Sequence, residues 1–333
     1  MRLLRHIFFI FSVLQFPYSC YPQGEFNNWY FGMIPSPLTA ITFNSGIPTA
    51  IPNNVVYGLI ANVSDSVGNL RFVSSSKVYN KNLSVMPNGC CIDVGGRSDY
   101  QPIIATEKPD DDSSFYIFAT NNYSPATPHC LKFSVVNMRL DGGLGDVEPS
   151  NKNIPVPGAS TSWKSVTGTR HFNNKDIWIV TTSSYFDCIK YASYLITHTG
   201  ISAPVLSQSY GNGNIIGPPP ALPYMDSPES IRISPDGSKL IACYSSKPEF
   251  CMFNSSTGQV ARLFSISPGS YTDVTTVAEF SIDSRYLYLS AGLPGNIRLL
   301  YQYDATKTDS SQFMQSQVLI DSAASSPMPY LQM

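Results

Sequence analysis

Residues 231–254, which read IRISPDGSKLIACYSSKPEFCMFN, have the pattern of short strands separated by tight turns. The first four residues alternate apolar and polar side chains, which is typical of a half-buried strand. Pro235, Asp236 and Gly237 then supply what a tight turn needs: a fixed φ, a side chain that bonds its own backbone, and a positive φ. Further strands are predicted at residues 239–244, 250–254 and 259–266. Four short antiparallel strands within about 35 residues are typical of one β-propeller blade.

The same unit recurs along the chain. Five predicted strands follow turn-forming stretches, at residues 69–74, 115–120, 177–182, 239–244 and 286–290. Each has a predicted partner strand before it, at residues 58–63, 101–106, 163–168, 231–234 and 277–281. Corresponding positions lie roughly 45 to 62 residues apart, a spacing that suits propeller blades with insertions and is too long for leucine-rich or helical repeats.

Two further strands are predicted upstream, at residues 28–32 and 38–43, and no stretch has a sustained helical period. The sequence therefore predicts an all-β fold. The expected architecture is a β-propeller of four-stranded antiparallel blades, with about five to six blades present, as an incomplete seven-bladed ring.

Composition agrees with many short strands. Hydrophobic residues make up 43% of the chain and charged residues only 13%, about half of the usual share of roughly 25%. The 20 Tyr, 18 Phe, 26 Pro and 22 Gly favour strands joined by turns over helices. The net charge of −2 argues against a surface that binds nucleic acid or anionic lipid.

The N-terminus, residues 1–23, is predicted to be a signal peptide. A basic start with Arg2 and Arg5 precedes the apolar residues 7–16, a run too short to span a bilayer. Residues 24–333 then form the propeller domain, and the processed protein is expected outside the cytoplasm, secreted or at the cell surface, without a membrane span. Pro17-Tyr-Ser-Cys20 is an alternative processing signal, a degenerate lipoprotein box in which Cys20 carries the lipid.

Seven cysteines are present, and six remain if Cys20 is removed. An even number in an oxidising compartment suggests disulfides. Cys243 and Cys251 lie on adjacent predicted strands and are the expected pair, while Cys90 or Cys91 is expected to reach Cys130. Buried free thiols in the blade cores are the alternative.

Several short motifs occur in order along the chain. They are NNWYFG (27–32), FNSG (43–46), VGNL (67–70), VYN (78–80), MPNG (86–89), FYIF (115–118), NMRLDGGLGDV (137–147), SPDGSKL (234–240), EFS (279–281), DSRYLY (283–288) and YQYD (301–304). Together they resemble the N-terminal propeller of large secreted Bacteroidetes proteins associated with gliding motility or type IX secretion. The resemblance covers nearly the whole mature chain and implies an exported propeller.

The resemblance also implies that this chain is truncated. In the family, a Leu-Gln strand and a Pro-Asp-Gly turn open the next blade, whereas here Tyr330-Leu-Gln-Met333 ends the sequence. One or two blades and a C-terminal sorting domain would then be missing. Because a propeller closes by pairing its first strand with its last blade, residues 28–32 would be left as an unpaired or mispaired edge.

No motif predicts a catalytic or metal centre. Asp110, Asp111 and Asp112 lack the spacing of a calcium loop and are expected in a solvated turn. Residues 141–146 lack the full phosphate-loop pattern and are expected in a bulged hairpin turn. The mature chain's histidines, His129, His171 and His198, are far apart and expected in exposed loops. Six strand aromatics are expected to pack between blades rather than line a ligand channel: Trp29, Tyr116, Phe118, Trp178, Tyr286 and Tyr288.

The sequence thus predicts an exported, non-catalytic β-propeller that acts as a binding or scaffold module at the cell surface. The expected partner is a surface protein or a polysaccharide, and no cofactor is expected. Contacts are expected from loops at one propeller face, first of all residues 208–228. The alternatives are a propeller hydrolase of lactonase or peptidase-associated type, since propellers host both, and a non-functional gene fragment.

Overall fold

The computed structural model describes residues 28–30, 38–52, 60–95, 102–121, 130–159, 162–185, 188–209, 228–244, 247–267, 277–293 and 297–324. These residues form six antiparallel sheets that follow one another along the chain, numbered here sheet 1 to sheet 6. Their short strands are joined in hairpins, as the repeated turns in the sequence predict.

Sheets 1 and 2 have three strands each. Sheet 1 contains β1 (Asn28–Tyr30), β2 (Leu38–Thr42) and β3 (Thr49–Pro52), and sheet 2 contains β4 (Ala61–Ser64), β5 (Leu70–Ser74) and β6 (Val78–Asn80). Sheet 3 contains β7 (Ile103–Lys108), β8 (Asp111–Thr120), β9 (Leu131–Asn137), β10 (Asp146–Val147) and β11 (Ile154–Pro155), the last two both paired with β9.

Sheet 4 contains β12 (Ser162–Arg170), β13 (Ile177–Tyr185), β14 (Cys188–Thr197), β15 (Gly200–Ile201) and β16 (Val205–Gln208), the last two both paired with β14. Sheet 5 contains β17 (Ser230–Ile233), β18 (Lys239–Cys243), β19 (Glu249–Phe253) and β20 (Val260–Ser265). Sheet 6 contains β21 (Val277–Phe280), β22 (Tyr286–Leu293), β23 (Ile297–Asp304) and β24 (Val318–Ala324). Two 3-10 turns (Asp141–Gly143 and Pro149–Asn151) and one short helix, α1 (Ser310–Gln315), complete the described elements.

In sheets 5 and 6, the same hydrogen-bonded turn joins the first two strands. In sheet 5 the Ser234 hydroxyl donates to Asp236 over 2.6 Å and accepts from the Lys239 backbone N–H over 3.0 Å. In sheet 6 the Ser281 hydroxyl donates to Asp283 over 2.5 Å and accepts from the Tyr286 backbone N–H over 2.8 Å. These side chains replace ladder hydrogen bonds where the chain reverses, which fixes the register of the two following strands.

The core is divided into seams, each between two neighbouring sheets. Clusters of buried apolar side chains join sheets 1 and 2, 2 and 3, 3 and 4, 4 and 5, and 5 and 6. Each sheet from 2 to 5 therefore buries both of its faces against its neighbours, as the blades of a propeller do and as the sheets of a two-layer sandwich do not. The predicted β-propeller of about five to six blades is confirmed, whereas its being an incomplete seven-bladed ring stays a prediction.

Trp178 shows how one seam is closed. Its side chain is 3% exposed, and its indole N–H donates to the Ser255 carbonyl of the neighbouring sheet over 2.8 Å. The β19–β20 turn approaches the ring at Gly258, where φ is +73° and an added β-carbon would lie 2.6 Å from two ring atoms. Only glycine allows this close approach.

The aromatic predictions are largely confirmed. Tyr116, Phe118 and Trp178 are buried at the seams, while Tyr286 and Tyr288 are only half-buried. The two tyrosines alternate with the buried Leu287 and Leu289, so they share the less covered face of β22. The side chain of Trp29 lies outside the described residues.

Three other expectations are corrected. Strand β1 is not unpaired, because Asn28, Trp29 and Tyr30 pair with Thr42, Ile41 and Ala40 of β2. The turn expected to hold Asp110, Asp111 and Asp112 is shorter, since β7 runs to Lys108 and β8 already begins at Asp111. Helix α1 was not expected at all, and it carries the fully buried Phe313.

The expected disulfide between Cys243 and Cys251 does not form. Cys251 pairs with Leu240 in the β18–β19 ladder, three residues from Cys243. Because side chains alternate between the two faces of a sheet, Cys243 faces the seam with sheet 6 and Cys251 faces the seam with sheet 4. Cys243 and Cys251 are both buried. Cys251 and Cys130 are buried free thiols, which is the alternative given from the sequence. Cys90 and Cys91 are exposed, and neither forms the expected disulfide with Cys130.

Candidate functional site: the channel mouth

The first strands of sheets 2 to 6 surround one cavity of about 760 Å³. Its walls come from the ends of β4, β7, β12, β17 and β21 and from the turns that follow them. Since each of these strands comes first in its sheet, the cavity is the mouth of the central channel, and we call it the channel mouth. A volume of this size is within the range of small-molecule sites.

Two ion pairs join neighbouring sheets across the channel mouth. Arg232 Nε lies 2.7 Å from Glu279 Oε2, joining β17 to β21, and both side chains are less than one-fifth exposed. Arg170 lies 3.6 Å from Glu107, joining β12 to β7, and both of these side chains are about half exposed. Asp236, a further acidic residue of the lining, lies 3.6 Å from Lys239, so the acidic and basic groups largely neutralise each other.

Glu279 is the most buried of the three carboxylates in the channel mouth, which are Glu107, Asp236 and Glu279. Burial raises its pKa, although the charge and hydrogen bond of Arg232 and the backbone N–H of Phe280 act in the opposite direction. Desolvation thus outweighs the attraction of the guanidinium, as is common for buried pairs. Arg232 therefore favours the ionised form of the Glu279 carboxyl, in opposition to burial.

Two exposed apolar side chains lie at the edge of the channel mouth, and we call this edge the lip. Phe172, in the β12–β13 turn, is 73% exposed, and Ile282, in the β21–β22 turn, is 55% exposed, and both line the cavity. The Phe172 backbone N–H donates to the Ser255 carbonyl over 3.1 Å, which holds the turn against sheet 5. Exposed apolar groups beside a concave polar surface are typical of an interaction site.

His171 also lines the channel mouth, but both of its ring nitrogens are engaged. The Asn173 backbone N–H donates to Nδ1 over 3.1 Å, and Nε2 lies 3.3 Å from the Ser256 carbonyl. Nδ1 is therefore an acceptor, and Nε2 carries the proton and donates it. His171 is half-buried, whereas His198 is exposed as predicted, with Nδ1 3.9 Å from Asp110; His129 lies outside the described residues.

The three consecutive aspartates do not converge. Asp110 faces His198, while Asp111 accepts hydrogen bonds from the Ser113 hydroxyl and backbone and lies 3.6 Å from Arg139. Asp112 is almost fully exposed. Within the described parts of the chain, no group of three or more His, Cys, Asp or Glu residues is placed to hold a metal ion.

Asp111 makes stability depend on pH. The Ser113 hydroxyl is the main cause that lowers the Asp111 pKa to about 2. A carboxyl with a depressed folded pKa stabilises the fold above its unfolded pKa and loses that contribution as the pH falls through the folded value. We expect Asp111→Asn to lose about 1 kcal/mol near neutral pH, and the loss to shrink toward zero near pH 2. Urea unfolding of both proteins between pH 2 and neutral pH measures this loss of unfolding free energy. The exposed Asp112→Asn is the control. An equal loss for Asp111→Asn at pH 2 and at neutral pH would contradict the account.

A second polar cluster is buried in the seam between sheets 4 and 5. Glu249 is 1% exposed, accepts from the Tyr191 hydroxyl over 2.7 Å and lies 3.5 Å from Arg262. Burial is the main cause that raises the Tyr191 pKa well above its ordinary value, so its hydroxyl stays protonated and donates. This cluster is closed to ligands, and we assign it to the packing of the two sheets.

Other positions named from the sequence lie away from the channel mouth. Residues 141–146 form a 3-10 turn and the start of β10, and Asp146 there accepts two hydrogen bonds from Asn88. Cys20 and residues 210–227 of the 208–228 loop lie outside the described residues. No described helix has the length and the apolar character to cross a bilayer.

The sequence analysis missed the channel mouth. Arg232 and Glu279 occupy the same place in two successive repeats, IRISPD and AEFSID, immediately before the shared turn. Aligning these repeats would have placed opposite charges on neighbouring inner strands. Phe172 and Ile282, which are apolar residues in the turns after two of these strands, would then have been predicted at the lip.

The class of protein is therefore a β-propeller with a cavity at the mouth of its central channel. No family model and no curated protein sequence matches the chain. Among solved structures, the periplasmic gluconolactonase of Pseudomonas aeruginosa is similar with a TM-score of 0.52 and 10% identity, over 89% of this chain and 82% of that one. At this identity the likeness shows the fold alone.

Two further structures are less similar. A Bacteroides uniformis protein, provisionally a 6-phosphogluconolactonase, has a TM-score of 0.49 and 14% identity, over 91% of this chain and 84% of that one. The BP39L lectin of Burkholderia pseudomallei has a TM-score of 0.44 and 12% identity, over 78% of this chain and 71% of that one.

Proposed function

We propose that this protein is an exported, non-catalytic β-propeller whose channel mouth binds a neutral polysaccharide at the cell surface. The observation that carries the proposal is the pairing of an exposed apolar lip, Phe172 and Ile282, with a cavity in which each charged lining group lies within 3.6 Å of an opposite charge; these groups are Glu107, Arg170, Asp236 and Glu279. A sugar ring presents an apolar face and several hydroxyl groups, and it needs both kinds of surface.

The charges favour a neutral ligand over an ionic one. A carboxylate or phosphate ligand would have to compete with Glu107 for Arg170 or with Glu279 for Arg232. Breaking a pair leaves its partner with an unmatched charge, which is costly where the site is desolvated. Sugar hydroxyls can instead donate to the carboxylates and accept from the guanidinium groups without separating either pair.

Export and a surface location belong to the same proposal. They are supported by the basic and apolar residues at the start of the chain. A connection with gliding motility or type IX secretion rests on the resemblance of the motifs alone, and it would place the ligand among the polysaccharides or proteins of the outer surface.

Removing the aromatic lip should weaken binding. We expect Phe172→Ala to lower the affinity for a bound oligosaccharide about tenfold, equivalent to about 1.4 kcal/mol, because a ring of this kind supplies most of the apolar contact area at a site. A glycan array identifies the oligosaccharide, and calorimetry on the purified mature chain measures the change. Val318→Ala, an exposed apolar residue on the outer strand β24, is the matched control and should bind like the wild type.

Two outcomes would count against the proposal. In the first, the protein binds no neutral glycan but captures an outer-surface protein, and Phe172→Ala abolishes this capture. That result would favour a protein ligand at the channel mouth. Equal affinity of Phe172→Ala and the wild type would place the ligand elsewhere.

A propeller hydrolase is the second candidate, favoured by the presence of Glu107 and His171 at one mouth. Against it, Glu107 faces Arg170 and both nitrogens of His171 are engaged, so neither is a free general base. Incubating the purified protein with aldonolactones separates the candidates. Hydrolysis that is lost in Glu107→Gln would replace the binding proposal with an enzymatic one.

A further inference from the structure

Cys90 and Cys91 form an exposed pair of neighbouring thiols. Their sulfur atoms are 3.0 Å apart, and the Cys91 thiol donates to the Cys90 sulfur. In an extended chain, neighbouring side chains point to opposite sides. Here they converge, and the Cys91 backbone has a φ of +63°, a left-handed conformation that residues with a β-carbon seldom adopt.

The surroundings hold this unusual conformation in place. The Asn153 side-chain amide donates to the Cys91 carbonyl over 2.8 Å and accepts from the Asp93 backbone N–H over 3.0 Å. On the other side, the Gly89 carbonyl accepts from the Val78 backbone N–H over 2.8 Å. The two cysteines are thus fixed between sheet 2 and the β10–β11 segment of sheet 3. A strained residue held by its neighbours in this way points to a function.

We propose that Cys90 and Cys91 are a vicinal dithiol that exchanges with disulfides and closes into a Cys90–Cys91 disulfide. The oxidant is a small-molecule or protein disulfide. The Cys90 thiolate attacks one of its sulfurs, which forms a mixed disulfide and releases one thiolate. The Cys91 thiolate then attacks the Cys90 sulfur, which closes the ring and releases the second thiolate. The cysteines lose two protons and two electrons, and the oxidant becomes two thiols.

The order of attack follows from the hydrogen bond. The contact with Cys90, as a hydrogen bond and as a neighbouring charge, raises the pKa of the Cys91 thiol, while the positive charges of Lys152 and Lys77 oppose this. Since the Cys91 thiol donates this hydrogen bond and the Cys90 sulfur accepts it, we assign Cys90 as the attacking sulfur and Cys91 as the one that resolves the mixed disulfide.

Access distinguishes this pair from the other thiols whose side chains the structure describes. Cys130, Cys243 and Cys251 are buried, whereas Cys90 and Cys91 are exposed. The reduced pair also presents two sulfurs to one soft ion, so a trivalent arsenical that binds two thiols at once is a suitable probe. A single exposed thiol would not hold such a reagent.

The test uses the purified mature chain, reduced and then equilibrated in glutathione buffers of increasing oxidising strength. Native alkylation followed by peptide mass spectrometry should show residues 90 and 91 losing two hydrogens together, with no retained glutathione. Cys90→Ser and Cys91→Ser should each abolish closure completely and leave glutathione on the remaining cysteine. Cys130→Ser is the matched control and should close like the wild type.

Phenylarsine oxide gives an independent readout. An equimolar amount should block alkylation of both thiols in the reduced wild type and in Cys130→Ser, and should fail to do so in either single variant of the pair. The proposal would be overturned if both thiols stayed open to alkylation under every oxidising condition, if oxidation gave only disulfides between two chains, or if the arsenical gave no protection.

Discussion

Phe313→Ala is expected to lose about 4 kcal/mol of unfolding free energy. Phe313 is fully buried, and its ring stacks on Tyr303 at 4.9 Å with an interplanar angle of 5°. It also contacts Phe250 at 4.9 Å and Phe264 at 5.1 Å. Because Tyr303 belongs to sheet 6 and the two phenylalanines belong to sheet 5, the truncation would open a cavity in the seam between two blades.

Urea or thermal unfolding measures this loss, which is a large part of the total stability of a typical domain. Gln312→Ala is the matched control, since Gln312 is exposed on the same helix and binds the Asp309 cap only through its backbone N–H. That variant should stay within about 0.5 kcal/mol of the wild type. A loss below about 1 kcal/mol for Phe313→Ala would mean that α1 does not seal the seam.

Arg232→Met is expected to lose about 3 kcal/mol near neutral pH, because it leaves the Glu279 carboxylate buried without its cation. Removing Arg232 also removes the main influence that lowers the Glu279 pKa. A carboxyl whose folded pKa lies above its unfolded value favours folding at low pH and loses this contribution as the pH rises. The loss caused by Arg232→Met should therefore shrink as the pH falls.

Two further variants test whether the loss caused by Arg232→Met comes from leaving the Glu279 charge buried without its partner. The double variant Arg232→Met with Glu279→Leu removes both charges and should recover most of the loss, since apolar replacements of buried pairs are often neutral or stabilising. Arg170→Met breaks the other channel pair, whose side chains are about half exposed, and should lose less than about 1 kcal/mol. Equal losses for Arg232→Met and Arg170→Met, or a double variant no better than the single one, would contradict the described burial.

The strands were predictable because each carries its own signal. Alternation in Ile231, Arg232 and Ile233 and the turn at Pro235 to Gly237 locate β17 and β18 to within a residue. The same holds for β21, whereas β22 begins as predicted and continues three residues past its predicted end. Such patterns record which side of a short segment is buried, and they need no knowledge of distant contacts.

Helix α1 escaped prediction because six residues are too few to show a helical period. Its N-terminus nevertheless has a signal: Asp309 is an N-cap residue that accepts from the backbone N–H of Gln312, three residues on. Phe313 is buried against aromatic residues that lie far away in the chain, so the sequence around Phe313 does not predict its burial.

The prediction of a Cys243–Cys251 disulfide was wrong because the positions of two strands in the sequence do not give the register between them. Cys243 and Cys251 are on adjacent strands, but the register places Leu240 opposite Cys251. The register depends on the length and shape of the intervening turn, and a shift of one residue moves every side chain to the other face. Likewise, the channel mouth became visible only when the inner strands of five sheets were brought together.

The most direct test of the central claim, that ligand binds where the inner strands of sheets 2 to 6 meet, is hydrogen exchange on the mature chain with and without the oligosaccharide that binds it best. The account predicts that the ligand slows backbone exchange in the turns at His171 and Phe172, at Asp236, and at Ile282. Slower exchange confined to residues 208–228, with these inner turns unchanged, would contradict it.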